Sequence, residues 1–257
     1  MSRFVTVFAF VSGLVLIVQF AQAQTRPLND TGITFSAQAG SDNSDACYPA
    51  DPAGQDCHYG RDAAAAAGQL NKVGSGSAGF DFTKISNSGG PLPENAVLGA
   101  GANDWACTRD NVTGLVWEVK TASGLRRQEY RYTWYNSNSP DGNPGSVGNT
   151  SHCINSLGGE TCNTQNYVAA VNAAGLCGAA DWRMPTVKEL ESIVDFGRYD
   201  PAIDLEFFPN TPPDGVWSGS PFSDDSGSAW VVGFGHGGAG FNDRSFNRHV
   251  RLVRGGQ

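Results

Sequence analysis

Asp181-Trp182-Arg183-Met184-Pro185-Thr186-Val187-Lys188-Glu189-Leu190 is the stretch on which the reading of this chain turns. Thr186 and Glu189 stand in the S/T-x-x-E relation of a capping box, in which the hydroxyl accepts from the Glu189 amide and the carboxylate accepts from the Thr186 amide. Pro185 fixes the backbone just before the cap. Val187, Leu190, Ile193 and Val194 then recur at helical spacing and form one apolar stripe. Arg183, with five donors, can tie several loop carbonyls or carboxylates together. A plain helix start needs only the cap, so the Trp-Arg-Met-Pro prefix predicts a fixed structural hub.

Upstream, Asn163 or Thr164 caps a second helix through Asn172, with Tyr167, Val168 and Val171 inward and Gly175 as its stop. Thr113 to Lys120 reads as a strand with Leu115, Trp117 and Val119 on one face. Strands are also expected at Gly215–Ser218, Ala229–Phe234 and His249–Val253, joined by Gly-rich turns such as Gly235-His236-Gly237-Gly238. Short strands at Thr31–Phe35 and Gly79–Thr83, and a helical turn in the alanine run from Ala63, occupy the loop-rich first part. A strand, two helices and a run of short antiparallel strands make an α+β fold.

The chain begins with the pattern of a processed export signal: Arg3, an apolar run from Phe4 to Phe20, and Ala21-Gln22-Ala23 as an A-x-A site. This divides it into a signal peptide at 1–23, a loop-rich region at 24–100 that packs on the core, and a domain at 101–257. Arg3 is the one charge in the signal, so the formal net charge of -8 becomes -9 on cleavage. That balance opposes nucleic acid as a partner. No later stretch is apolar enough to span a bilayer after signal cleavage. All six cysteines lie beyond residue 23, and an even count in an exported chain reads as three disulfides among fifteen possible pairings. Proximity favours Cys47–Cys57 and Cys153–Cys162, which leaves Cys107–Cys177 closing a loop of about 70 residues. No CxxC pair supports metal ligation instead.

Several spaced segments resemble the Lcl C-terminal domain family, named for the C-terminal domain of the Legionella collagen-like adhesin. They are Cys107-Thr-Arg-Asp-Asn-Val-Thr-Gly-Leu-Val-Trp-Glu118, Asn172-Ala-Ala-Gly-Leu-Cys177, Asp181 to Leu190, Trp217-Ser218 and Val250-Arg-Leu-Val-Arg254. Tyr59-Gly60-Arg61-Asp62 and Gly79 to Lys84 look similar to upstream segments of exported members. The Arg-Met-Pro-Thr-x-x-Glu-Leu element also resembles the sulfatase-modifying factor superfamily. That likeness implies a C-type-lectin-like fold with two helices, short antiparallel strands and long disulfide-stapled loops. The named adhesin is implicated in binding sulfated polysaccharides and host surfaces, but this chain has no collagen-like stalk. The formylglycine-generating enzymes of the superfamily use a cysteine pair near the chain end, and no cysteine follows Cys177 here.

For ligand contact the sequence nominates Arg126, Arg127, Arg131, Trp134 and Tyr135: guanidiniums for sulfate or carboxylate groups and rings for sugar faces. Strand alternation offers the simpler alternative of burying Tyr130, Tyr132 and Trp134. No cofactor is expected. Asp224 and Asp225 offer weak oxygen ligands for calcium, and paired acids in a polar loop are more often solvated. His58, His152, His236 and His249 show no zinc spacing. Trp117, Trp182, Arg183, Thr186, Glu189, Trp217 and Arg251 are assigned to the structural hub, with Arg251 and Arg254 pairing to acids such as Asp181 or Glu189. The expected function is an exported, non-enzymatic, adhesin-like binding module in the periplasm, in the medium or on the surface of a bacterium. Its partner would be a glycan or an envelope or surface protein. The alternative is a periplasmic structural or assembly protein, and an enzyme of unrecognised type is third.

Overall fold

A computed structural model describes residues 29–36, 55–154 and 156–255. The expected signal peptide and Cys47 lie outside the described residues, as do Asp42, Asp45 and Asp51, the acids around Cys47 whose sequence reading as calcium ligands is as weak as that of Asp224 and Asp225. In chain order the elements are α1 (Asp56–Tyr59), α2 (Arg61–Ala66), β1 (Phe82–Ser86), β2 (Trp105–Asp110), β3 (Val116–Glu118), α3 (Thr164–Ala173), α4 (Val187–Glu191), β4 (Gly215–Pro221), β5 (Ser228–Gly233), β6 (Gly238–Asp243) and β7 (Val253–Arg254). The fold is α+β with antiparallel sheets. Among the described residues no helix is long and apolar enough to cross a membrane.

Four strands form one sheet in the order β1-β2-β3-β7, and three form a second in the order β4-β5-β6. Successive strand residues point to opposite faces, and in β3 and β5 both faces carry buried residues. Val116, Val231 and Leu252 enter one apolar cluster with Trp134, Tyr167, Trp182 and Trp217. Their neighbours Trp117, Val232 and Val253 enter another, with Phe80, Phe82, Leu190, Phe207 and Phe208. Each large buried side chain contributes on the order of 1.5–3 kcal/mol, so both clusters are needed to hold sheets this short.

Local chemistry explains the helices. Asn163 accepts from the Asn166 amide at 2.9 Å and starts α3, and Gly175, at φ 64°, turns the chain after it. In α4 both halves of the Thr186–Glu189 capping box are made. The helix is only five residues long, yet the stripe extends past its end, burying Leu190, Ile193 and Val194. Cys107–Cys177 and Cys153–Cys162 are bridged. Cys57 is disulfide-bonded, and its expected partner Cys47 lies outside the described residues.

Several expectations need correction. Thr31–Phe35 forms no strand, because its β-branched residues find no neighbouring ladder. The strand expected from Gly79 starts at Phe82, where pairing with Asp110 begins. The expected strand at 113–120 contracts to β3, with β2 as an additional strand before it. β6 arises inside what reads as a glycine turn region, pairing along its length with β5.

Candidate functional site

The quoted stretch is a junction of four elements. Arg183 and Val253 exchange backbone hydrogen bonds at 2.9 and 3.0 Å, tying the stretch to β7. The Asn172 side chain at the end of α3 acts as a mock strand partner, accepting from the Trp182 amide and donating to its carbonyl. The Gly219 amide in β4 donates to the Pro185 carbonyl. Arg183 grips Glu189 with both terminal nitrogens at 2.8 and 2.7 Å and reaches the Gly255 carbonyl. Arg183 and the Thr186 donors hold the Glu189 carboxyl below its usual range against the opposing effect of burial, which is the largest single influence on it. Trp182 is buried and donates to the Leu176 carbonyl. Trp217 donates to the Tyr132 carbonyl, and Trp117 is fully buried.

Beneath this junction lies a closed polar cluster. Glu118 is fully buried and accepts from Lys120 Nζ at 2.8 Å, from the Tyr167 hydroxyl, and from the Leu252 amide at 2.9 Å. Burial pushes Lys120 down to about 8 against the attraction of Glu118, and burial pushes Tyr167 well up. Arg251 donates to the Glu118 carbonyl and to the Thr211 hydroxyl. Its expected pairing with Asp181 or Glu189 is therefore wrong: Asp181 takes Arg254 at 2.6 Å and Glu189 takes Arg183. Residues 251 and 254 are an odd number apart on an extended chain, so they face opposite ways. The cluster resembles acid–base machinery in composition but is sealed from solvent, and its donors and acceptors hold β3, α3 and the terminal strand together.

The residues nominated for ligand contact separate into three groups. Arg126 is tied down, donating to the Ala106 and Val119 carbonyls, and borders a cleft of about 640 Å³ between the 121–125 turn and the end of α3. Trp134 is 1% exposed, donates to the Ser218 carbonyl and lies 4.1 Å under the Arg244 guanidinium. Its ring faces are taken by the core, so it offers a ligand no stacking surface. Tyr135, half-buried, lines a second cleft of about 330 Å³ beside Met184 and Gly219.

Arg127 and Arg131 behave differently. Their side chains are 41% and 47% exposed. Arg127 pairs with Glu129 and lies 5.8 Å from the Tyr130 ring centre. Arg131 reaches Asp214 at 3.1 Å, and Asp214 also meets Arg248 at 3.4 Å. Arg248 in turn lies 6.0 Å from the ring centre of Phe246, which is half exposed. The contacts form two groups, Arg127 with Glu129 and Tyr130, and Arg131 with Asp214, Arg248 and Phe246, joined only by the Tyr130–Arg131 peptide. Three guanidiniums share two carboxylates on an otherwise acidic chain. Arg248 and Phe246 were missed as ligand candidates because they approach Arg131 only through the Tyr132–Arg248 bridge, a pairing about 115 residues apart in sequence.

Residues 106–254 match the family model of the Lcl C-terminal domain. The chain belongs to that family. No curated protein and no solved structure matches it. Within the Lcl C-terminal domain the hub residues fall on the matched segment, as do all three arginines of the patch.

Asp225 accepts from the Gly227 amide and the Ser228 hydroxyl, which closes the β4–β5 turn and holds its carboxyl below the usual range. Asp224 contacts only Ser223. Asp243 lies near enough to Asp225 to act on it electrostatically, but among the described residues the pair joins no third acid at metal-ligand spacing, so the calcium reading here lacks a ligand set. Among the described residues the acids that do gather are Asp30, Asp56 and Asp62. Asp62 was quoted in sequence only for its resemblance to upstream family segments, and nothing local tied it to Asp30. His152 and His236 are exposed on loops, while His249 is buried beside Arg131 and Asp214.

Proposed function

We propose that this protein is an exported binding module, built on a C-type-lectin-like scaffold, that recognises an anionic ligand through the Arg127–Arg131–Arg248 patch. The observation that carries this reading is the Arg131–Asp214–Arg248–Phe246 group, two part-exposed guanidiniums beside a half-exposed ring, with Arg127 and Tyr130 as a second pair next to it in the chain. Guanidiniums suit the forked oxygens of sulfate and carboxylate groups, and the two rings suit the apolar face of a sugar. A sulfated or uronic-acid glycan presents both. Export is supported by the 1–23 signal pattern and by disulfides, which persist in oxidising compartments. Binding of this kind needs no cofactor.

The test is retention on immobilised heparin and on a glycan array, at low and high salt, for the wild type and for Arg131→Ala/Arg248→Ala. We expect salt-sensitive binding, weakened at least about tenfold in the variant, as loss of two charge-assisted contacts requires. Absence of glycan binding at low salt would defeat this reading. One observation favours the structural or assembly alternative: β6 is an exposed edge strand whose Phe241 stacks on Phe222 at 4.1 Å, a surface suited to a protein partner. Reproducible co-purification of one envelope protein, lost on Phe241→Lys, would support that alternative. Substrate turnover abolished by a single loop carboxylate change would support an enzyme.

A further inference from the structure

Asp30, Asp56 and Asp62 come from three separate points on the chain: the 29–36 segment, the first turn of α1 and the first turn of α2. One oxygen from each lies within 4.8 Å of the others. Each carboxylate is also anchored by a donor on one oxygen. Asp30 Oδ1 accepts from the Gly32 amide at 2.8 Å, Asp62 Oδ1 from the Gly79 amide at 3.1 Å, and Asp56 Oδ2 from the Thr31 hydroxyl. The opposite oxygens of Asp30 and Asp62 are buried and have no hydrogen-bond partner. These side chains are 6% and 4% exposed, and burial, with the Asp30 and Asp56 carboxylates adding to it, pushes the Asp62 carboxyl up to about 8. Among the described residues no Lys or Arg forms an ion pair with any of the three. The nearby Arg61 directs its Nε to the Gly79 carbonyl.

Buried carboxylate oxygens left unpaired beside like charges are costly, and a hard cation relieves both defects. Fixed oxygens converging from a turn and two helix starts match the oxygen coordination of calcium, with water or carbonyls completing the six to eight ligands it typically takes. Magnesium demands a tighter octahedron and sheds water reluctantly, which fits this anchored, nearly dry set less well. We propose that Asp30, Asp56 and Asp62 bind a calcium ion that clamps the 29–36 segment and the α1–α2 unit to the domain. The clamp lies outside residues 106–254 and does not depend on the glycan-binding proposal. Its mechanical consequence follows from the contacts around it. Asn29 donates to Asp110 in β2, and the Phe196 amide donates to the Thr31 carbonyl, so fixing Asp30 fixes the segment against β2 and the chain that follows α4.

The experiment uses the full chain lacking its first 23 residues, stripped with EGTA and titrated with calcium chloride by calorimetry. The expected result is one equivalent bound, with a dissociation constant on the order of 10⁻⁴ M or tighter. Tm should rise by roughly 5–10 °C at a hundredfold excess over that constant. Asp62→Asn and, separately, the less buried Asp56→Asn should each abolish that equivalent, whereas Asp224→Asn/Asp225→Asn should leave it intact. Hydrogen exchange on the wild type alone should show calcium slowing exchange in residues 56–62 and 77–81, a readout that stands if a variant fails to fold. An unchanged Tm and unchanged exchange in 10 mM calcium would overturn the proposal. So would a full equivalent retained by a folded Asp62→Asn.

Discussion

Replacing Glu118 with Gln keeps the shape of the side chain and removes its charge, and the surrounding donors make the outcome calculable. All the hydrogen-bond partners of the Glu118 carboxylate act as donors: Lys120 Nζ and the Tyr167 hydroxyl on one oxygen, the Leu252 amide on the other. A carboxamide has one acceptor oxygen and one NH₂ group. With NH₂ toward the Leu252 amide two donors face each other, and with NH₂ on the other side Tyr167 or Lys120 must turn from donor to acceptor, so either arrangement costs about 1–3 kcal/mol. The charge itself adds a further, bounded loss. Lys120 sits at about 8 in the folded protein, so at pH 7 it can release its proton for about 1 kcal/mol instead of remaining as an uncompensated buried cation. The total is about 2–4 kcal/mol at pH 7, within the upper range for breaking a buried pair.

The charge share carries its own signature. Above about pH 8 the wild-type Lys120 is itself losing its proton, whereas in the variant it has already done so. The folded wild type therefore binds more protons than the folded variant between pH 7 and 8, and the penalty shrinks by about 1 kcal/mol as pH rises to 9. Urea unfolding followed by tryptophan fluorescence at pH 7 and pH 9 measures both quantities. A loss below 1 kcal/mol at pH 7, or a penalty that grows toward pH 9, would refute the assignment of Glu118 as the anchor of this cluster.

Burial, with Arg131 assisting, pushes His249 down to about 4, so it is neutral in the fold but charged in the unfolded chain below about pH 6.5. This stability is present above pH 6.5 and is lost progressively as pH falls to about 4; it is worth about 3 kcal/mol, and His249→Gln should flatten that part of a stability–pH curve. Opening the Cys107–Cys177 bridge by replacing both residues with Ala should cost about 4 kcal/mol through the 70-residue separation it closes, measured by urea unfolding as a lower midpoint with a larger m-value, because the unfolded chain expands once the link is gone. Thr186→Ala should cost about 1 kcal/mol by removing the cap, and a loss above 3 kcal/mol would mean that Thr186 does more than start α4.

What the sequence made legible was chiefly local. The capping box joins residues three apart, and the Asn163 cap and Gly175 stop are equally short-range, so all three read directly. β6 did not, because Gly238, Ala239 and Gly240 carry no apolar alternation and become a strand only through pairing with β5. β2 is polar along Thr108, Arg109 and Asp110 and is buried by the strands on either side. The arginines of 126–131 looked equivalent in sequence. Arg126 is consumed by two carbonyls that approach from β2 and the end of the β3 segment, while Arg127 and Arg131 keep exposed heads. Asp30 and Asp62 are 32 positions apart, and only the fold brings their unpaired oxygens together.

The terminal segment carries both a hub residue and an arginine of the proposed binding patch on one piece of chain. Arg248, Arg251 and Arg254 recur at intervals of three, and in extended chain that spacing alternates faces. Arg248 points outward to Asp214 and the patch, Arg251 inward to Glu118 and Thr211, and Arg254 outward to Asp181 beside Trp182. The inward arginine is fixed by a sealed cluster, so the backbone that carries Arg248 is set by the core and not by the ligand surface. The Asp181–Leu190 stretch completes this restraint through the Arg183–Val253 bridge, one residue from Arg254. A rigid backbone under exposed guanidiniums lowers the ordering cost of binding an anionic partner. If the proposed binding function holds, the Trp-Arg-Met-Pro hub serves it by holding the patch still.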